Sequence, residues 1–102
     1  MNQIYLLESV TNGDIPIYKI GFTKDIEKRF KQHSTSNSDL NLVSIFDTKH
    51  ERKVETYLHN MFKDKNVNGE WFILNNDDVK DFKNICSKIE NQFDKLKDNP
   101  FF

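Results

Sequence analysis

The feature that most constrains the fold is an amphipathic helix predicted to follow Thr48-Lys49-His50-Glu51. Threonine at the N-cap with glutamate three residues later is a capping box, in which each side chain binds the backbone N–H of the other residue. The apolar residues behind it recur at steps of three and four, the spacing of one helix face: Val54, Tyr57, Leu58, Met61 and Phe62. The rest of the chain is therefore expected to supply the surface against which this stripe packs.

The pattern before and after this helix predicts strands and helices in a definite order. Strands are expected over 3–8, 15–22, 42–47 and, as a short run, 70–74; helices are expected over 24–33 and from Asn75 or Asn76 onward. An Asn12-Gly13 pair tolerates the positive φ angles of a tight hairpin turn between the first two strands. The order ββαβα, followed by a short strand and a helix, predicts a small α+β domain built on an antiparallel sheet.

Composition excludes several classes of protein. The 102 residues give room for one domain. No apolar run approaches the roughly 18 residues of a membrane span, and the N-terminus lacks the features of a signal peptide. We therefore expect no membrane partner and a cytoplasmic location, in the host cell if the chain is phage-encoded. The single Cys86 rules out an internal disulfide framework and a multi-cysteine zinc site.

The basic residues are concentrated in one segment although the net charge of the chain is only −1. Residues 19–33 carry five basic and two acidic side chains, a local charge of +3; the basic ones are Lys19, Lys24, Lys28, Arg29 and Lys31. The chain has no alanine and thirteen lysines to two arginines, which is typical of an AT-rich coding sequence and indicates a phage, a mobile element or an AT-rich microbe as its source. Arginine at 29 and 52 indicates a need for the planar guanidinium, which binds two phosphate oxygens at once. The segment is either a solvated helix face or a surface that grips a phosphodiester.

A second cluster lies on the helix after the third strand, where Glu51, Glu55 and His59 are spaced four residues apart. The capping box already accounts for Glu51. Glu55 borders the apolar stripe, so its carboxylate is expected to be partly solvated and able to bind Mg²⁺ or Mn²⁺. The alternatives are an i,i+4 partner for His59 or a plain surface acid.

Taken in order along the chain, these residues resemble the core of the GIY-YIG nucleases, in the branch found in phage open reading frames and in a fungal meiotic protein. The resemblance covers about residues 3–74 and rests on Ile4-Tyr5, Lys19-Ile20-Gly21, Glu27-Lys28-Arg29-Phe30 with His33, Glu55, and Gly69-Glu70-Trp71-Phe72. It implies a three-stranded antiparallel sheet flanked by helices. It also implies a nuclease core over 1–74, with a C-terminal capping helix and tail over 75–102 in the same domain.

The resemblance implies a metal-dependent endonuclease that hydrolyses a DNA phosphodiester with one Mg²⁺ or Mn²⁺. Glu55 would hold the metal, and Arg29 would neutralise charge on the phosphoryl oxygens. Tyr5 would act as general base on the attacking water, with a pKa lowered by nearby cations, or would position that water. His33 would orient water or phosphate, and Gly21 would let the backbone pass close to the site.

Some positions depart from the family pattern. Gln3 stands where the first motif has glycine, and Lys19 stands where the second motif has tyrosine, so Lys19 is a further catalytic candidate. Glu70 occupies the neighbourhood where many members carry asparagine. The residues expected to contact DNA are Lys24, Lys28, Lys31 and Arg52, and Trp71 is expected to be structural.

Two other functions remain open on the sequence. One is a nucleic-acid-binding module that has lost turnover, and the other is a protein-interaction domain that uses Trp71 and Phe101-Phe102 as apolar contacts. If the chain is a nuclease, specificity must come from DNA shape, a protein partner or a homodimer, because no sequence-reading motif is present.

Overall fold

An antiparallel sheet and the helices that cover it make up the part of the chain that the computed structural model describes, which is residues 2–10, 15–36 and 40–96, with the backbone alone for 33–36. The strands are β1 (Asn2–Ser9), β2 (Ile17–Thr23), β3 (Leu40–Thr48), β4 (Asn66–Asn68) and β5 (Trp71–Phe72). The helices are α1 (Ile26–Ser36), α2 (Glu51–Met61), α3 (Asn76–Lys80) and α4 (Phe82–Leu96), and a 3-10 turn spans Lys63–Lys65. The predicted Asn12-Gly13 turn and Phe101-Phe102 lie outside the described residues.

The prediction of a three-stranded sheet is wrong, because the described residues form five antiparallel strands in the order β3-β1-β2-β5-β4. The strands beyond the predicted three are β4 and β5, which form a hairpin on the β2 edge, and β5 lies within the short strand predicted over 70–74. All three residues of β4 are exposed, so no alternation of apolar and polar residues signals this strand. Its geometry comes from backbone pairing and from Asn66, whose Nδ2 donates to the carbonyl oxygens of Gly69 at 2.8 Å and Trp71 at 3.0 Å. Gly69 adopts φ 57° in the turn, a conformation that favours glycine.

One face of the sheet packs against α2 and α4. The cluster of buried side chains on this face contains Ile4 and Leu6 of β1, Tyr18 and Ile20 of β2, Val54, Leu58 and Phe62 at α2, Phe72 and Leu74 at β5, and Phe82, Cys86 and Ile89 of α4. Full burial of each large apolar side chain contributes roughly 1.5–3 kcal/mol. The C-terminal helix therefore shares its core with the strands, while the boundary at 74/75 stays a prediction.

The predicted capping box at the start of α2 is wrong. The N-cap is His50, whose side chain makes no capping bond, and the helix begins at Glu51. The Thr48 hydroxyl, at the end of β3, accepts from the His50 amide at 3.0 Å and donates to the Glu90 carboxylate of α4. Glu90 also accepts from the Lys49 amide at 3.0 Å. The Thr48 hydroxyl, which the local sequence assigns to the helix cap, thus binds the Glu90 carboxylate, and this bond fixes α4 to the β3–α2 junction.

The last predicted helix is divided in two. Asn75, one of the two predicted N-cap residues, caps α3 through a capping box with Asp78, and the chain then turns at Asp81 before α4. Among the helices that the structure describes, none combines the length and the apolar character that crossing a bilayer requires.

Candidate functional site

The candidate site lies where the neighbour of β2 changes from β5 to α2. The β2–β5 pairing joins Tyr18 and Lys19 to the two residues of β5. At Ile20 the backbone amide donates to the Glu70 carbonyl at 3.1 Å, while the Ile20 carbonyl accepts from Nε2 of His59, on α2, at 3.0 Å. Because β5 is short, side chains of α2 reach the edge of the sheet at Ile20.

Two acids and a histidine meet at this position. Glu55 and His59 lie one turn apart on α2, and Glu70 immediately precedes β5. One ligand atom from each of the three half-buried side chains lies within 4.8 Å of the other two, which is close enough for all three to bind one cation. We call these three residues the Glu-His-Glu cluster.

The orientation of His59 follows from its hydrogen bond. A backbone carbonyl can only accept, so Nε2 must carry the proton, and the neutral ring keeps Nδ1 as its basic nitrogen. The ring also packs edge-on against Phe72, with 5.0 Å between the ring centroids. Both contacts hold the imidazole in place from residues outside the cluster.

The cluster carries an excess of negative charge. Burial, and secondly the nearby Glu70 carboxylate, raise the pKa of Glu55 above its usual value, while His59 and Arg52 act in the opposite direction. The Glu70 carboxylate lies 3.7 Å from the Lys19 ammonium, which is also 5.9 Å from the centre of the Trp71 ring. Two carboxylates on a partly desolvated site favour a bound cation.

Tyr5 crosses over Gly21 on the face of the sheet opposite the core. Its neighbours Ile4 and Leu6 belong to the core cluster, and because alternate strand residues face opposite sides of a sheet, Tyr5 faces the other side. Its side chain is nevertheless only 1% exposed there. Tyr5 and Gly21 are directly paired across β1 and β2. A Cβ atom at Gly21 would lie 2.5 Å from the Tyr5 phenol oxygen and 2.7 Å from Cζ. Glycine is therefore required for the ring to occupy this position.

The Tyr5 phenol is electrostatically connected to the other predicted site residues. The Arg29 guanidinium of α1 donates a hydrogen bond to the phenol oxygen and acts to lower the pKa of Tyr5. Burial, followed by Glu70 and more weakly Glu55, has the larger effect and raises that pKa above its usual value. The expectation that cations lower the pKa of Tyr5 is therefore wrong: Arg29 acts in that direction, but burial and the two glutamates outweigh it.

A basic groove borders these residues. It has a volume of about 570 Å³, and its charged lining consists of Lys24, Lys28, Arg29 and Arg52 against Asp25 and Glu51, which is four cations to two acids. Arg29 also bonds Tyr5, and Arg52 acts on Glu55 and lies 5.9 Å from the centre of the Phe22 ring. The two arginines therefore connect the groove with the buried polar residues.

The structure brings together most of the residues predicted from the sequence. Arg29 and Glu55 act electrostatically on Tyr5, which crosses over Gly21. Lys19 lies 3.7 Å from Glu70, which also acts on Tyr5. Lys31 does not line the groove but a neighbouring depression on α1, and His33 lies on α1 with its side chain outside the described part.

The sequence prediction did not include His59 and Glu70 among the site residues. The i,i+4 spacing of Glu55 and His59 is a visible signal for the first, and the Gly69-Glu70-Trp71-Phe72 motif is a signal for the second. Neither signal shows that the two side chains meet.

Two viral proteins are similar to this chain. The chain is 30% identical over 91 residues to protein 315L of Invertebrate iridescent virus 6, which is named as a KilA-N domain-containing protein; the match covers 83% of this chain and 39% of that protein. It is 33% identical over 75 residues to protein 460R of the same virus, covering 71% of this chain and 34% of the relative. The chain thus spans little more than a third of these relatives. No solved structure matches it. The family model of the T5orf172 domain matches residues 2–89, and the chain therefore belongs to the T5orf172 domain family.

Proposed function

We propose that this protein is a metal-dependent endonuclease of the GIY-YIG type, which hydrolyses a phosphodiester bond in DNA. The observation that carries the proposal is the convergence of Tyr5, Arg29 and Glu55 beside a basic groove. Packing alone does not require a phenol, a guanidinium and a carboxylate to lie together in a partly buried position.

The donor set fits a divalent cation. Glu55 and Glu70 offer carboxylate oxygens, which Mg²⁺ and Mn²⁺ prefer, and His59 offers a nitrogen. Glu55 is the principal ligand in this proposal. A bound ion would polarise the phosphoryl group and stabilise the leaving oxygen.

The remaining side chains act on the phosphate and the water. The oxygen of water forms a bond to phosphorus, the bond from phosphorus to one sugar oxygen breaks, and that oxygen receives a proton. Arg29 neutralises charge that develops on the phosphoryl oxygens. Tyr5 orients the water through its phenol oxygen, or accepts a proton from the water where the effects of burial and Glu70 on its pKa are offset. Lys19 adds positive charge on the adjacent strand.

The groove supplies the contact with DNA. In this proposal Lys24, Lys28 and Arg52, which line the groove, bind phosphates on either side of the bond that is cut. Because the chain as a whole has a net charge of −1, we expect a small phosphate footprint and weak non-specific binding. Specificity is proposed to come from DNA shape, a protein partner or a homodimer, and the site of action is proposed to be the cytoplasm.

The test is the nicking of supercoiled and branched DNA in the presence of Mg²⁺ or Mn²⁺. Glu55→Gln, Arg29→Ala and Tyr5→Phe should each reduce cleavage, whereas Asp64→Asn, which removes an exposed carboxylate on the 3-10 turn, should cut as the wild type does. An inert wild type, or a Glu55→Gln protein that cuts equally well, would refute the proposal. Salt-dependent binding of DNA without cleavage would instead select a nucleic-acid-binding module that has lost turnover.

A further inference from the structure

We infer that His59 and Glu70 are metal ligands together with Glu55, and that the imidazole gives this site a preference for Mn²⁺ over Mg²⁺. The inference deepens the proposed function and rests on it in assuming that the ion of the Glu-His-Glu cluster is the ion used in cleavage. It adds two ligands and an ion preference to a site in which the family resemblance implies Glu55 alone.

The geometry of His59 is that of a metal ligand with a fixed ring. Ligating histidines characteristically donate their second ring N–H to a carbonyl or carboxylate, which sets the tautomer and the ring orientation. His59 donates from Nε2 to the Ile20 carbonyl at 3.0 Å, so the basic nitrogen is Nδ1. The contact with Phe72 restricts the ring further. The fold itself thus prepares the imidazole for a cation.

Glu70 is available to the cation in spite of its ion pair. Its carboxylate lies 3.7 Å from the Lys19 ammonium, well beyond the roughly 2.7–2.9 Å of a strong charge-assisted hydrogen bond. The side chain is 42% exposed, so the pair is screened by solvent and holds Glu70 only weakly. A divalent ion within reach of both glutamates would attract Glu70 more strongly than the single ammonium does.

The chemistry of the three donors sets the ion preference. Mg²⁺ binds oxygen ligands and retains several waters, so an imidazole adds little to its affinity. Mn²⁺ shares the preference of Mg²⁺ for carboxylate oxygens, but as a first-row transition ion it gains more affinity than Mg²⁺ does from an imidazole nitrogen. Removal of the imidazole should therefore weaken Mn²⁺ much more than Mg²⁺, whereas removal of the Glu55 carboxylate should weaken both.

The test measures ion binding without DNA and without turnover. The protein is stripped with EDTA and dialysed, and Mn²⁺ is titrated while free Mn²⁺ is followed by electron paramagnetic resonance; Mg²⁺ is then added as a competitor. We expect the wild type to bind Mn²⁺ at least about tenfold more tightly than Mg²⁺, and His59→Asn to lose about 10–100-fold of the Mn²⁺ affinity with little change for Mg²⁺. Glu55→Gln and Glu70→Gln should weaken both ions, and Asp64→Asn should weaken neither.

Two results would overturn the inference: unchanged Mn²⁺ affinity in His59→Asn, or an equal loss of both ions. Circular dichroism of each variant establishes that it is folded, and His59→Gln is the second variant if His59→Asn is not. Failure of this inference is distinguishable from failure of the proposed function. Selective Mn²⁺ binding without cleavage refutes the nuclease. If the protein cleaves DNA but its ion affinity is unchanged by substitution of His59 and Glu70, only the additional ligands are refuted.

Discussion

Replacing Gly21 with alanine is expected to destabilise the fold through a single contact. The added Cβ would lie 2.5 Å from the Tyr5 phenol oxygen and 2.7 Å from Cζ, whereas carbon atoms pack favourably at about 3.5–4.0 Å. The overlap is therefore about 1 Å. The ring cannot turn away freely, because Tyr5 is 1% exposed and Arg29 donates a hydrogen bond to its hydroxyl.

The size of the effect follows from two opposing contributions. Forcing additional volume into a packed position costs about 1–3 kcal/mol. Alanine returns about 0.5–1 kcal/mol, because it loses less conformational freedom than glycine when a strand forms. The net destabilisation should be about 1–2 kcal/mol, roughly a tenfold change in the folding equilibrium.

Urea unfolding followed by circular dichroism measures this difference. Gly69→Ala is a control for backbone strain without a steric contact, since a Cβ at this position meets nothing within 4 Å. Its loss of stability, about 1–2 kcal/mol, would come from φ +57° alone. The decisive comparison is Gly21→Ala in a Tyr5→Leu background, which lacks the phenol atoms nearest to the new Cβ. There the substitution should cost less than about 0.5 kcal/mol. An equal cost in both backgrounds would show that the contact with Tyr5 is not the cause.

Three further predictions concern other parts of the molecule. Burial raises the pKa of the Cys86 thiol to about 12, so a thiol reagent at pH 8 should label it only as urea unfolds the protein; rapid native labelling contradicts this. Lys28→Ala should weaken DNA binding and reduce the salt slope by about one phosphate in fluorescence anisotropy, while Lys80→Ala on α3 should leave both unchanged. In EDTA, Glu55→Gln should be more stable to urea than the wild type at pH 7 but not near pH 4. The reason is that the pKa of Glu55 is raised in the folded state, so the stability of the wild type falls as the pH rises above about 4.5. A wild type that is more stable than Glu55→Gln at pH 7 refutes this.

The elements that could be predicted from the sequence are those with a clear hydrophobic period. The continuous apolar run of β1 and the three-and-four spacing of α2 arise from burial, and Val54 and Leu58 are indeed fully buried. The same logic fails for β4, whose residues are exposed and carry no period. It also fails at Thr48, because the bond to Glu90 joins positions 42 residues apart. Local patterns carry no information about such partners.

The site shows the same division between local and long-range information. Arg29 is noticeable in a chain that otherwise uses lysine, and Glu55 is noticeable at the border of an apolar stripe. Glu70 lies fifteen residues after Glu55, beyond a helix end and a turn, and it reaches the cluster only because β5 joins the β2 edge. The sequence predicts a short strand over 70–74 but does not specify which strand it pairs with, so the prediction does not bring Glu70 to Glu55.

The position of the site depends on how short β5 is. A longer strand would continue the ladder along β2 past Lys19 and would take the Ile20 carbonyl into sheet pairing, which would leave His59 without its acceptor. The next residue of β2 is also unusual, because Gly21 has no side chain to pack and so leaves room for the Tyr5 ring. Both features weaken the sheet locally, and both are needed for a phenol, an imidazole and two carboxylates to reach the same edge. The proposed chemistry for this reason lies at the part of β2 where the ladder is interrupted, and α2, packed through Val54 and Leu58, supplies the rigidity that the short strand does not.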